Sequence, residues 1–364
     1  MVASGTNAGA WAGGPPSADA TDLLAFAGDG FRIKQTDHFD IAYDTPYEII
    51  RPLVGRLEGT YDAIQRFCRF NKLQKSEKVT GLRVILYDRF EDYARFAASV
   101  GVQSESVAGF YSHATNIAIF CNSLHSPALK VLHDEIDQTI ERRAKLGDAP
   151  SGSSAGARRP LTARLHSLHA QRDEFVKRFN RLVIQHEAAH QVFFHLGVHV
   201  RNADTPNWLI EGLACQFEVS QTNPRGRLTG TNHMRLADLR DALGVDLLKT
   251  NLGGDALLAA QTRKEWMSLR EILTTEGPKH SMEGAMAYYY GQAWALVHFL
   301  HTVHGDGFSA YLKALGKRIP REEVGETQLI TEFRDCFGQD LEQLERAWIH
   351  HSLRIRLDRT KAGR

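Results

Sequence analysis

The chain predicts an α+β fold: a small mixed β-sheet lobe, then a mainly helical lobe, with a helical hairpin inserted between them. Three observations predict it. Short apolar or alternating runs, the mark of strands, are confined to residues 31–121. From residue 124 onward the apolar spacing is helical almost throughout. Between the two regions lies LVIQHEAAHQVFFHL, apolar on more than one side and therefore a buried helix.

The elements follow in order. Residues 1–29, opening MVASGTNAGAWAGGPPSADA, are rich in small residues and read as a disordered, linker-like N-terminus. The sheet lobe spans 30–123. FRIKQTDHFDIAYD alternates as one or two strands, and Ile49, Leu53, Leu57, Tyr61 and Ile64 give a helix over 46–70 its apolar face. GLRVILYD is a β run, DRFEDYARFAAS a helix, and VAGFYSHATNIAIFC a hairpin around a polar Ser-His-Ala-Thr-Asn turn. Residues 124–178 form the inserted helical hairpin, with a Gly/Ser/Ala-rich flexible tip at 147–160; its second helix is long enough to run into the buried segment. Residues 179–220 hold a helix–loop–helix, and 221–358 a helical lobe with apolar spacings at 234–248, 268–275, 286–304, 307–316 and 328–355. The basic end RIRLDRTKAGR reads as a frayed tail.

Composition narrows the function. A formal charge of +1 gives no bulk case for nucleic acid or an anionic membrane. No run approaches the length of a transmembrane helix. Cys68, Cys121, Cys215 and Cys336 are scattered without a C-x-x-C pair and read as free thiols, with disulfides expected only in an exported protein. No signal peptide is recognisable, so the compartment stays open, export included should a signal have been removed.

The chemistry sits in His186-Glu187-Ala188-Ala189-His190. Imidazoles four residues apart lie one above the other on a helix, close enough to share one metal ion. The glutamate between them is placed to take a proton from water activated at that metal. The three-histidine extension fails, because Phe193 occupies its glycine position. Past the turn-rich GVHVRNADTPN, Pro206 and Asn207 open a second helix that carries Glu211 one turn in, with twenty residues between it and His190.

HEAAH with WLIEGLA resembles the gluzincins, the His-His-Glu branch of the zincin metallopeptidases. W-x-x-E-G-x-A is most similar to a poorly characterised bacterial peptidase-like group of that clan. The resemblance is strong over about residues 180–220 and weaker around 80–121 and 286–316. It implies a zincin-like fold, one zinc ion on His186, His190 and Glu211, Glu187 as general base, and a peptide or protein substrate. Several gluzincins place a histidine-orienting acid four residues after the ligand glutamate. Cys215 stands there, so Glu218 is the candidate for that role. Such folds also use a tyrosine from a later helix to bind the oxyanion; in AYYYGQAWALVHFLHTVHG, Tyr290 gives the best register and Tyr288 a weaker one, while three successive tyrosines, Tyr289 included, point in three directions. The sheet edge over the cleft is assigned to Gly109, Phe110 and Tyr111, where strand addition would hold substrate backbone. His298, His301 and His304 recur every three residues but read as ordinary surface or half-buried histidines. The inserted hairpin is a candidate for binding a partner or a second copy. The rival to a zinc peptidase is a catalytically inactive, zinc-stabilised binding protein.

Overall fold

The computed structural model describes residues 18–73, 81–102, 109–112, 115–146, 154–219, 230–245, 263, 265–278 and 284–356. Five strands, β1 (Arg32–Gln35), β2 (Phe39–Tyr43), β3 (Leu82–Tyr87), β4 (Gly109–Ser112) and β5 (Ile117–Cys121), form one mixed sheet in the order β1-β2-β3-β5-β4. β1 pairs antiparallel with β2, and β2, β3 and β5 run parallel, with Phe39 opposite Leu82 and Arg83 opposite Ile117. β4 returns antiparallel along β5 and forms an edge of the sheet.

The central strands read as unbroken apolar runs because both faces are covered. Val84, Leu86, Ala118 and Phe120 point into the main core, where α2 (Tyr47–Phe70) contributes Leu53, Leu57, Tyr61 and Ile64. The alternate residues Ile85, Tyr87, Ile117 and Ile119 point the other way, onto α3 (Phe90–Ser99) with Tyr93 and Ala97. Leu23 of α1 (Ala18–Ala27) completes that second layer. This corrects the disordered reading of residues 1–29: residues 18–27 are a helix on the sheet, held by burial of Ala20 and Leu23. Residues 1–17 lie outside the described part.

The inserted hairpin is α4 (Lys130–Lys145) against the first half of α5 (Ser154–His195), joined by a small core of Leu132, Ile136, Leu165 and Leu168. The flexible tip was expected over 147–160, but 154–160 belong to α5, Pro160 included. Pro160 stands in the second turn, and four good helix formers, Ala155, Ala157, Arg158 and Arg159, lie before it. Residues 147–153 lie outside the described part. α5 does run unbroken into the pentad, and its 42 residues span roughly 63 Å at 1.5 Å per residue.

The helical lobe contains α6 (Asn207–Phe217), α7 (His233–Leu243), α8 (Leu269–Thr274), α9 (Ala285–Val303), α10 (Gly305–Leu315), α11 (Glu326–Phe337) and α12 (Leu341–Arg354). The run 328–355, expected as one helix, is two: Gly338 turns the chain at φ 114°, and Asp340 caps the next helix by accepting from Gln343 N–H. The stretch 246–248 and the tail 357–364 lie outside the described part. No helix among the described residues is long and apolar enough to cross a membrane.

Candidate metal centre

α5 brings the pentad beneath the sheet edge. Ala188 and Ala189 are fully buried, and their small side chains let neighbouring elements approach the helix that carries the histidines. Gly109 does the same on the strand: a Cβ there would lie 2.7 Å from Val183 Cγ1 and 2.5 Å from the Phe120 ring. The close approach lets the Glu187 carboxylate accept the backbone N–H of Tyr111 at 2.9 Å. Burial raises the Glu187 pKa, against the opposing pull of His186 and His190.

α6 supplies the third donor. Pro206, at φ −55°, stands at its N-cap, and Glu211 follows in the second turn. Glu211 Oε2 lies 3.1 Å from His186 Nε2 and 3.6 Å from His190 Nε2, and the three donor atoms all fall within 4.8 Å of one another. Two donors about 2.0–2.1 Å from a tetrahedral zinc would lie about 3.3 Å apart. The two spacings from Glu211 bracket that value, so the donor set has the identity and closeness that one zinc ion requires. Burial opposes charge on Glu211, but the two imidazoles outweigh it and hold the carboxyl well below its usual range. Burial likewise opposes the His186 cation, and Cys215, Glu211 and Glu218 together raise its pKa.

Glu218 is fully buried at the end of α6, two turns beyond Glu211. Its Oε1 lies 3.0 Å from His186 Nδ1, an arrangement that turns Nε2 toward Glu211. Asn232 Nδ2 donates to Oε2 at 2.6 Å, and Arg235 donates from Nε and Nη2, at 3.0 and 2.6 Å. Burial alone would raise the Glu218 pKa; the Arg235 charge and the His186 hydrogen bond bring it down to about 2. A second group, His186, Cys215 and Glu218, also has its donor atoms within 4.8 Å. There the carboxylate is already committed to Arg235 and Asn232, so the first group is the better cation site. None of the four cysteines is in a disulfide; Cys336 is half-buried and the rest are buried.

Of the three successive tyrosines, Tyr290 reaches the pentad: its ring meets that of His186 edge-on at 5.8 Å between centroids. Tyr289 is buried with its hydroxyl 3.3 Å from Asn207 Nδ2, and Tyr288 packs against Gly284. Gly109, Phe110 and Tyr111 form the edge strand as expected, but their side chains do not open on the cleft. Phe110 faces Tyr93, and Tyr111 stacks on Phe194 with its hydroxyl bonded to Asn116 and Arg201. Only backbone is left to meet a ligand, and the Tyr111 N–H is engaged by Glu187. His298, His301 and His304 diverge: His298 Nδ1 pairs with His351 Nε2 at 2.9 Å, His301 is buried against Phe67 and Phe70, and His304 caps α9. Asn232 and Arg235 were not anticipated. Asn232 carries an N-cap signal before an apolar-spaced helix, but nothing local marks Arg235 as a partner of Glu218.

Residues 181–322 match a family model described as "Protein of unknown function (DUF1570)". The matched span holds His186, Glu187, His190, Glu211, Glu218, Arg235 and Tyr290, and leaves out the sheet and the inserted hairpin. A search of curated proteins gives no match.

Proposed function

We propose that the protein is a zinc-dependent peptidase of gluzincin type. The observation that carries the reading is the convergence of His186 Nε2, His190 Nε2 and Glu211 Oε2, with Glu187 on the same helix one residue from the first ligand. A zinc ion held there supplies a Lewis acid that makes water nucleophilic near neutral pH. Glu187, with a raised pKa, takes the proton from the attacking water and passes it to the leaving amine. Tyr290, beside His186, offers its hydroxyl to the oxygen that becomes anionic. Glu218 fixes the His186 tautomer. An extended peptide is the substrate that suits the edge position of β4, pairing with the edge backbone that remains beside the Tyr111 N–H held by Glu187.

The test joins elemental analysis to cleavage of a mixed peptide library. Wild type is expected to hold one zinc per chain and to lose turnover to a chelator. Glu187→Gln keeps the zinc and loses roughly 100- to 10,000-fold in rate. His186→Ala loses the metal. A wild type that holds zinc yet cleaves nothing would favour the binding-protein alternative, and full activity in Glu187→Gln would refute the mechanism.

A further inference from the structure

We infer that Arg235 is a positioning residue that sets the metal ligand His186 and the ring of Tyr290 in one frame. The inference rests on the metallopeptidase reading of the site and assigns it a component that the motif residues do not include. Arg235 stands in the first turn of α7, whose N-cap Asn232 accepts its backbone N–H at 3.3 Å and holds Glu218 by its own side chain. The guanidinium forks onto Glu218 through Nε and Nη2, while Nη1 reaches Asp238 at 3.2 Å. One carboxylate oxygen, Glu218 Oε1, accepts from Arg235 Nη2 and faces His186 Nδ1. These edge contacts fix the guanidinium, and its Cζ lies over the Tyr290 ring, 5.0 Å from the ring centre.

The Tyr290 ring needs such a support. A phenol that is to donate to a substrate oxygen must keep its hydroxyl free of competing partners, and among the described residues that hydroxyl makes no hydrogen bond. The ring is located by its faces and edges instead, against His186, Tyr289 and Arg235. Arg235 therefore touches both branches of the site: the carboxylate behind a ligand histidine and the ring in front of it. A lysine can answer the Glu218 charge but has no plane to fork on one side and stack on the other.

The full-length wild type, Arg235→Lys, Arg235→Gln, Tyr290→Phe and the Lys/Phe double variant are compared. Zinc affinity is measured by chelator competition, the ligand field by the absorption spectrum of the cobalt-loaded protein, and turnover on a library-derived peptide. Arg235→Gln is expected to weaken zinc roughly 10- to 100-fold and to shift the cobalt spectrum. Arg235→Lys should hold zinc within about threefold of wild type yet lose kcat with KM little changed, because charge is kept and the platform lost. Adding Tyr290→Phe to Arg235→Lys should then cost much less than it does alone. Should Arg235→Gln not fold, Arg235→Lys and the double variant still decide. Wild-type zinc affinity and a superimposable cobalt spectrum in Arg235→Gln would overturn the inference, as would full kcat in Arg235→Lys or effects that simply multiply. Those results in a wild type that binds zinc and turns over leave the peptidase reading standing; a wild type that takes up no metal overturns both.

Discussion

Two histidines of α5, nine residues apart, are driven in opposite directions by what faces them. His186 meets carboxylates on both ring nitrogens, and against the opposing effect of burial these and Cys215 raise its pKa. His195 is held neutral: burial first, then the charges of Arg201 and Arg83, depress its pKa to about 4. Its Nε2 lies 2.7 Å from Asn116 Nδ2, an amide nitrogen that can only donate, so the ring must accept there and carry its proton on Nδ1. The sign of the pH effect follows. Below about pH 6.5 the unfolded chain protonates this histidine while the folded chain refuses the proton until about pH 4, so stability falls as pH drops through that window. Denaturant midpoints of wild type and His195→Gln from pH 7 to 4 should show a smaller loss in the variant; equal slopes would contradict the assignment. At this scale the two histidines were legible because helical spacing puts them on one face, and Glu211 because HEAAH followed by WLIEGLA resembles the gluzincin pattern. Arg235 was not legible, since its contact with Glu218 spans 17 residues and depends on how α7 returns to the end of α6.

The crossing of α6 and α9 decides how near Glu211 and Tyr290 come to the same ligand. Gly212 follows Glu211 and stands at the crossing, where a Cβ would lie 2.5 Å from the carbonyl oxygen of Ala293 and 2.7 Å from Val297 Cγ2. The first of these neighbours is backbone, so Gly212→Ala must push the helices apart. Overpacking of this kind costs about 1–3 kcal/mol, and the shift carries Glu211 away from the histidines. The expected outcome is a lower melting temperature together with weaker zinc binding. Gly55, on the open side of α2 with nothing within 4 Å, is the control: Gly55→Ala should stabilise by about 0.5–1 kcal/mol. A Gly212→Ala protein as stable as wild type would show that the crossing can relax. Element type was largely readable from period, as in β3 and α2. Ends were not: α1 is a short apolar patch inside a small-residue stretch, and its helix is worth forming only because Leu23 finds the sheet. The break at Gly338 has a similar origin, because helical spacing carries through it and only the backbone angle stops the helix.

Over the whole molecule, the candidate centre is where separate layers are tied together. α5 comes from the inserted hairpin, passes under β4 and enters the core, while α6 begins the helical lobe; His186 and His190 belong to the first and Glu211 to the second. A cation on all three would cross-link helices that are otherwise joined by a loop and by apolar packing. Binding to the folded state alone then adds RT ln(1 + [Zn]/Kd), about 2.7 kcal/mol at a hundredfold excess over Kd. Melting temperature should therefore climb with the logarithm of free zinc, by roughly 4 °C at that excess if the lobes unfold together. Glu187→Ala removes no ligand and should keep the full response. His190→Ala should flatten it, and chelated wild type should melt with the His190 variant, corrected for the cavity the substitution leaves. A melting temperature indifferent to zinc, or an equal response in His190→Ala, would mean that the three donors hold one another rather than a metal. In that case the buried imidazole–carboxylate contacts would be a structural ion pair, and the tie between the lobes would depend on pH instead of on zinc.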